Sequence, residues 1–280
     1  MSGDTASVEI WSGKNRGDEN FPVGSALIRP DLRRHVHAFY AFARNADDIA
    51  DSAALASEDK VARLDVMEAV LLGEAEDTAS PSAARLRASL AETGTTPRHS
   101  RDVLIAFRRD ATKLRYAGWE ELYDYCRYSA MPVGRHVLDL HGEDKETYPP
   151  SDALCTALQV LNHLQDCQAD LNALDRCYLP QDLLAAHGTA LGDLNAPAAS
   201  PGLGQVFDAL LEQVAALNRV ARDLPRRTRS RRLRLETAVI VGLSHRLAAR
   251  LRRGDPIAGR VALTRTDFAA SLLASLRFLP

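Results

Sequence analysis

Asn162, Asp166 and Asp170 recur at every fourth position of a segment that otherwise reads as a Leu- and Val-rich helix, Gln159-Val-Leu-Asn-His-Leu-Gln-Asp-Cys-Gln-Ala-Asp170. At 3.6 residues per turn they form one polar stripe two turns long, which Gln159 extends. Such a stripe on an apolar helix is costly to bury without partners. The chain must therefore set a second element against it that compensates those groups. The segment Phe39-Tyr-Ala-Phe-Ala-Arg-Asn-Ala-Asp-Asp-Ile-Ala-Asp51 is the matching candidate. Asp47 and Asp51 share a helical face, where like charges repel unless a cation lies between them. Arg44 sits one turn back, and Asp48 points about 100° away.

The rest of the sequence carries the same period. Stripes and breakers predict helices over Asp31–Asp51, from Ser57 or Glu58 to Leu72, and over Ser82–Thr93, Ser100–Leu114, Trp119–Leu140, Asp152–Leu174, Ala209–Leu224, Arg231–Arg253 and Thr266–Leu276. Pro132 predicts a kink in the fifth, and Thr264 or Thr266 caps the last. The loops near Ser80, before Ser151 and near Pro201 are too short to demand a domain boundary. The expectation is all-α: one helical bundle spanning residues 1–280.

Two facing acidic helices would offer five or six oxygen ligands. Mg²⁺ suits them, since it takes a few carboxylates and completes its shell with phosphate oxygens and water. The chemistry implied is withdrawal of a diphosphate leaving group, with apolar walls around a cationic intermediate. Either acidic run alone is also what a solvated helix face looks like; their joint presence, with Arg44 upstream and Arg176 downstream, favours the metal site.

At these residues the chain resembles the squalene/phytoene synthase family of trans-prenyl transferases. The matching motifs are Tyr40-x-Phe-x-Arg44, Asp47-Asp-x-x-Asp51, Tyr125-Cys-Arg-Tyr-Ser-Ala-Met-Pro-Val-Gly134, the Asn162/Asp166/Asp170 stripe and Arg176-x-Tyr-Leu-Pro180. The resemblance implies an isoprenoid-synthase bundle around an apolar channel with the aspartates at its mouth. It implies Asp47, Asp51, Asn162, Asp166 and Asp170 as ligands of Mg²⁺ or its waters. Arg44, Gln159, Arg176 and Lys113 are then diphosphate contacts, and Phe21, Tyr40 and Tyr125 line the cavity. Asp48, Gln165 and Tyr178 complete the expected substrate-facing set. Core packing would use the same tyrosines. His245 stands near a position where relatives often carry Tyr.

Within the family, Glu19-Asn-Phe-Pro-Val23, Ser25 and Asn162-His-Leu-Gln-Asp166 resemble the hydroxysqualene synthase branch of bacterial hopanoid biosynthesis. Head-to-head condensing relatives usually carry Arg at the position of Gln165 and a Ser-rich start where this chain has Asp18-Glu-Asn20. Both differences fit a substrate with one diphosphate. The reaction implied is presqualene diphosphate plus water giving hydroxysqualene plus diphosphate. A squalene, dehydrosqualene or phytoene synthase shares the metal site and stays open as an alternative. A non-catalytic helical scaffold would have little reason to keep every ligand.

Composition narrows the setting. A net charge of −2 does not favour nucleic acid. Cys126, Cys155, Cys167 and Cys177 form no C-x-x-C pair and read as free thiols in a reducing compartment. The eight histidines are scattered, with no zinc spacing. The start lacks an apolar signal core and no stretch is long enough to span a bilayer, so a soluble, cytoplasmic protein is expected. The Arg226–Arg234 basic run fits either a solvated turn or contact with anionic lipid. The final Ala-Ser-Leu-Leu-Ala-Ser-Leu-Arg-Phe-Leu-Pro280 is amphipathic.

Overall fold

The computed structural model describes residues 7–13 and 27–278, and among them every regular element is helical. In chain order these are α1 (Pro30–Asp51), α2 (Ser57–Leu72), α3 (Pro81–Thr93), α4 (Arg98–Asp110), α5 (Trp119–Ser129) and α6 (Met131–Leu140). There follow α7 (Tyr148–Leu174), α8 (Gln181–Ala186), α9 (Pro201–Ala221), α10 (Leu224–Arg227), α11 (Arg231–Leu251) and α12 (Arg265–Ser275). The expected all-α bundle is what forms.

α7 is the longest helix and the axis of the packing, set against α5, α6, α9 and α11. Its buried Ala157, Val160, Leu161 and Leu164 join Leu210, Leu211 and Val214 of α9 in one core. A second core lies among α1 to α4, around Phe42, Ile49, Leu64, Met67 and Leu86. The stripes of α1 and α7 lie where these two layers meet.

Several boundaries differ from the expectation, each for a local reason. Pro132 does more than kink its helix. It occupies the first turn of α6, where its missing N–H costs nothing, and α5 ends two residues earlier. Pro201 likewise opens α9 well before Ala209. α4 stops at Asp110, and Leu114–Tyr116 runs extended beside Arg176–Tyr178 through an isolated parallel bridge, with Cys177 N donating to Leu114 O at 2.9 Å. Asp175, at φ 50°, ends α7 in the left-handed region, as a helix cap does. That reversal sends Arg176 back beneath the acidic stripe. Thr264 caps α12 through a capping box with Asp267.

Candidate active site

α1 and α7 present their acidic stripes to one another. Asp47, Asp51, Asn162, Asp166 and Asp170 are all partly exposed, whereas their apolar neighbours Ile49, Leu161 and Leu164 are buried. Their electrostatics show that the rows interact. Burial pushes the Asp170 carboxyl up to about 7, helped by Asp166 on its own helix and Asp51 across the gap. Asp47 is raised well above the usual carboxylate range by burial, then by Asp51, while Arg44 opposes the rise. About one-third of the Asp47 side chain is exposed, and the residue stands on the wall of the recess.

Two arginines hold the cluster from either side. Arg44 reaches Asp47 at 3.1 Å and Asp48 at 2.6 Å. Asp48 is turned away from the recess and buried; it accepts from Arg44 and from the Ser12 amide at 3.0 Å. Burial alone would raise its pKa, but those donors outweigh it and hold the carboxyl low. Asp48 therefore fixes Arg44 and the 7–13 segment, in place of the substrate contact expected of it. Arg176 is buried, donates to Asp51 at 2.8 Å and to the Asp110 carbonyl at 2.7 Å, and leaves its Nε without a hydrogen bond.

Asp110 is a member that sequence reasoning missed. It caps the end of α4 with no motif around it, and only the fold brings it under the mouth. Its two oxygens accept from Tyr125 at 2.7 Å and Tyr178 at 2.8 Å, and burial lifts its pKa to about 6 against the pull of Arg176. Tyr125 and Tyr178 are thus buried beneath the carboxylates, off the cavity wall, and burial raises both phenols well above their ordinary value. Tyr178 also stacks on His163 with centroids 3.6 Å apart, and Gln159 lies 3.2 Å from the other edge of that imidazole. Burial, then Arg176, push His163 down to about 3, so it is neutral. Lys60 of α2 is a second missed group; burial and then Arg176 lower its pKa while Asp51 raises it, which places it beside both.

Other expectations are redirected. Lys113 pairs with Glu121 and lies over the Tyr116 ring at 5.3 Å. Gln165 is buried beside the stripe and donates to the Val261 carbonyl at 2.6 Å, so it docks the 259–264 segment. Its replacement of Arg thus says nothing about diphosphate number in this geometry. His245 accepts from Arg222 at 3.3 Å in an outer groove, away from the cavity. Phe21 and the Asp18–Val23 segment lie outside the described residues.

Behind the mouth lies a cavity of about 390 Å³. Arg44, Asp47 and Tyr40 stand on its wall together with Phe39, Phe107 and Leu158. α6 and α11 close the far side with Val137, Leu233 and Ile240. His136 borders it too, stacked on Phe39 at 4.1 Å; burial drives its pKa to about 3 and leaves both ring nitrogens without a hydrogen bond. The arrangement is a largely apolar recess with Arg44 and Asp47 at one end and the buried Glu236 of α11 on the far side.

The donor set fits a hard divalent cation. Its oxygens come from carboxylates and one amide, and Asp47 and Asp170 are raised by burial first and by neighbouring carboxylates second. Among the described residues no three acidic, His or Cys side chains converge into a closed cage. Substrate phosphates would have to complete the coordination.

The squalene/phytoene synthase family model matches residues 14–267. The chain belongs to the squalene/phytoene synthase family. The family is one of prenyl synthase enzymes. A hydroxysqualene synthase from Rhodopseudomonas palustris is 46% identical over 272 residues, covering 97% of this chain and 92% of that protein. The crystal structure of squalene synthase HpnC from Alicyclobacillus acidocaldarius superposes with a TM-score of 0.74 at 35% identity, covering 85% of this chain and 90% of that one. A dehydrosqualene synthase in complex with ligand shares the fold at a TM-score of 0.80 and 20% identity, over 94% and 92% of the two chains.

Proposed function

We propose that this member of the squalene/phytoene synthase family is a Mg²⁺-dependent hydroxysqualene synthase that converts presqualene diphosphate and water to hydroxysqualene and diphosphate. The observation that carries the reading is the pair of facing carboxylate rows, with Asp47 on the wall of an apolar cavity, in a chain 46% identical to a hydroxysqualene synthase along nearly its whole length.

Asp47 and Asp51 on one side and Asn162, Asp166 and Asp170 on the other would hold Mg²⁺. Bound Mg²⁺ supplies neutralisation of the charge that builds on departing diphosphate. Arg44 and Lys60 add fixed positive charge at the same end, and Asp48 keeps Arg44 aimed there. The C–O bond breaks with its electron pair leaving on diphosphate. The resulting cation rests against Phe39, Tyr40 and Phe107, whose ring faces favour positive charge and whose packing limits water. Water then forms the new C–O bond, and its proton leaves to diphosphate or solvent. Asp110, Tyr125 and Tyr178 hold Arg176 in place beneath the mouth.

The test is incubation of the enzyme with presqualene diphosphate and Mg²⁺ in ¹⁸O-labelled water, with and without NADPH. Labelled hydroxysqualene formed without NADPH is expected. A hydrocarbon product that requires NADPH would replace this reading with a hydride-quenched synthase. Among the described residues no helix is long and apolar enough to cross a membrane. The reading therefore includes a cytoplasmic enzyme working peripherally at the inner face of the membrane, where its product partitions.

A further inference from the structure

α12 is built inside out. Asp267, Ser271 and Ser275, four apart, are its buried face, each less than a tenth exposed. Phe268, Leu272, Leu273 and Leu276 point outward, with Leu273 69% exposed and Leu272 49%. A surface helix ordinarily does the reverse. The inversion is anchored. Asp267 accepts from Arg250 at 2.6 Å and caps its own helix through Thr264, and its carboxyl is held down at about 2 by those donors against the cost of burial. Gly242 of α11 lets Ser271 come so close that an added Cβ would lie 3.0 Å from its Oγ. The apolar face is thus held outward by specific contacts.

What flanks that face identifies its occupant. Beside it, along the seam of α11 and α12, a groove of about 730 Å³ is lined by Arg222, Arg226, His245 and Arg277, with no acidic residue. It adjoins, at Gly242, His245 and Ala274, a second groove of about 380 Å³ lined by Arg246, Arg250 and Arg253, whose one acid is the already paired Asp267. Residues 221–280 hold fourteen arginines and four acids in a chain whose net charge is −2. A two-fold dimer through this face would set each arginine cluster against its own copy. An apolar ridge beside a continuous cationic strip instead matches a lipid interface, with acyl chains under the ridge and anionic headgroups along the strip.

We propose that α12 is a membrane-docking helix, seating Phe268, Leu272, Leu273 and Leu276 in an anionic bilayer while arginines of both grooves bind its phosphates. α11 lies between this face and the cavity, offering Leu233 and Ile240 to the cavity and Gly242 to α12. Docking therefore holds the prenyl cavity one helix from the bilayer. This rests on the proposed function only for its purpose, since the lipid contact is measured without substrate.

The experiment is flotation of the full chain with phosphatidylcholine vesicles, with and without phosphatidylglycerol. The wild type is expected to float with the anionic vesicles alone, and less at high salt. Leu272→Gln with Leu273→Gln should weaken partitioning by roughly tenfold or more. Arg226→Gln and Arg277→Gln should each weaken it roughly fivefold. All should keep the wild-type melting temperature and turnover in detergent. Equal flotation with neutral vesicles, no flotation, or unchanged flotation of the leucine variant overturns the proposal. So does a dimer that the leucine variant abolishes, which would make this face a contact between copies. Turnover in detergent separates the two claims: its absence in the wild type defeats the proposed reaction and leaves the flotation result standing.

Discussion

α7 and α12 both place residues on the face opposite to the one their chemistry prefers, and they do so in opposite directions. α7 turns Asn162, Asp166 and Asp170 inward among buried leucines, toward Asp47 and Asp51 of α1. α12 turns Phe268, Leu272 and Leu273 outward and buries Asp267, Ser271 and Ser275. Each inversion costs stability, because it forgoes apolar burial or crowds like charges. The partner we propose for α7 is a cation and a diphosphate, and for α12 a bilayer. Where a helix contradicts its own period, the structure is incomplete without something from outside.

The comparison breaks most visibly at α7. Asp166→Asn, or Asp51→Asn, should lower turnover of presqualene diphosphate by roughly a thousandfold, because Mg²⁺ binding supplies several kcal/mol to the departure of diphosphate. The melting temperature should hold or rise for Asp166→Asn, which relieves repulsion within the cluster, whereas Asp51→Asn also takes a charge partner from the buried Arg176. Near-wild-type kinetics in either variant would end the metal-site account.

At α12 the sensitive position is the buried polar face. Ser271→Leu makes the helix more hydrophobic yet should destabilise the protein by about 1–3 kcal/mol, because α11 approaches too closely at Gly242 to admit a larger side chain. Calorimetry decides this. A gain in stability would mean that the inversion is incidental.

A smaller effect separates the rows by pH. Asp170 is raised from 3.8 to about 7 in the folded chain, so between those values the fold holds a proton that the unfolded chain has released. That one group lowers stability as pH rises through the window, by at most about 1.4 kcal/mol per pH unit. His136 and His163, both depressed to about 3, act in the opposite sense below about pH 6.5 and mask the trend in the wild type. The difference isolates it. In EDTA, Asp170→Asn minus wild type should grow from pH 4 to about 7 and then level. A flat difference would mean that the rows do not crowd one another.

Much of this was legible in the sequence, because α1, α7 and α11 are long and strongly periodic. Their stripes pointed to five carboxylate and amide side chains and to Arg44. What escaped depends on contacts distant in the chain. Asp110 and Lys60 carry no motif and join the mouth only through the packing of α4 and α2. Asp48 and Gln165 sit in the right segments but one helical step off the stripe, and a step of 100° sends Asp48 to Ser12 and Gln165 to Val261. The amphipathic C-terminal segment was visible as such. Periodicity shows that a helix has two faces, and only its neighbours decide which one is turned in.

The central claim is that the two rows form one site when metal and diphosphate are both present. Isothermal titration of the wild-type protein with inorganic diphosphate tests it directly, in Mg²⁺ and in EDTA. Binding is predicted in Mg²⁺ alone, and Asp51→Asn and Asp166→Asn, one change on each row, should each abolish it. Equal binding in EDTA, or loss from only one of the two variants, would contradict the account.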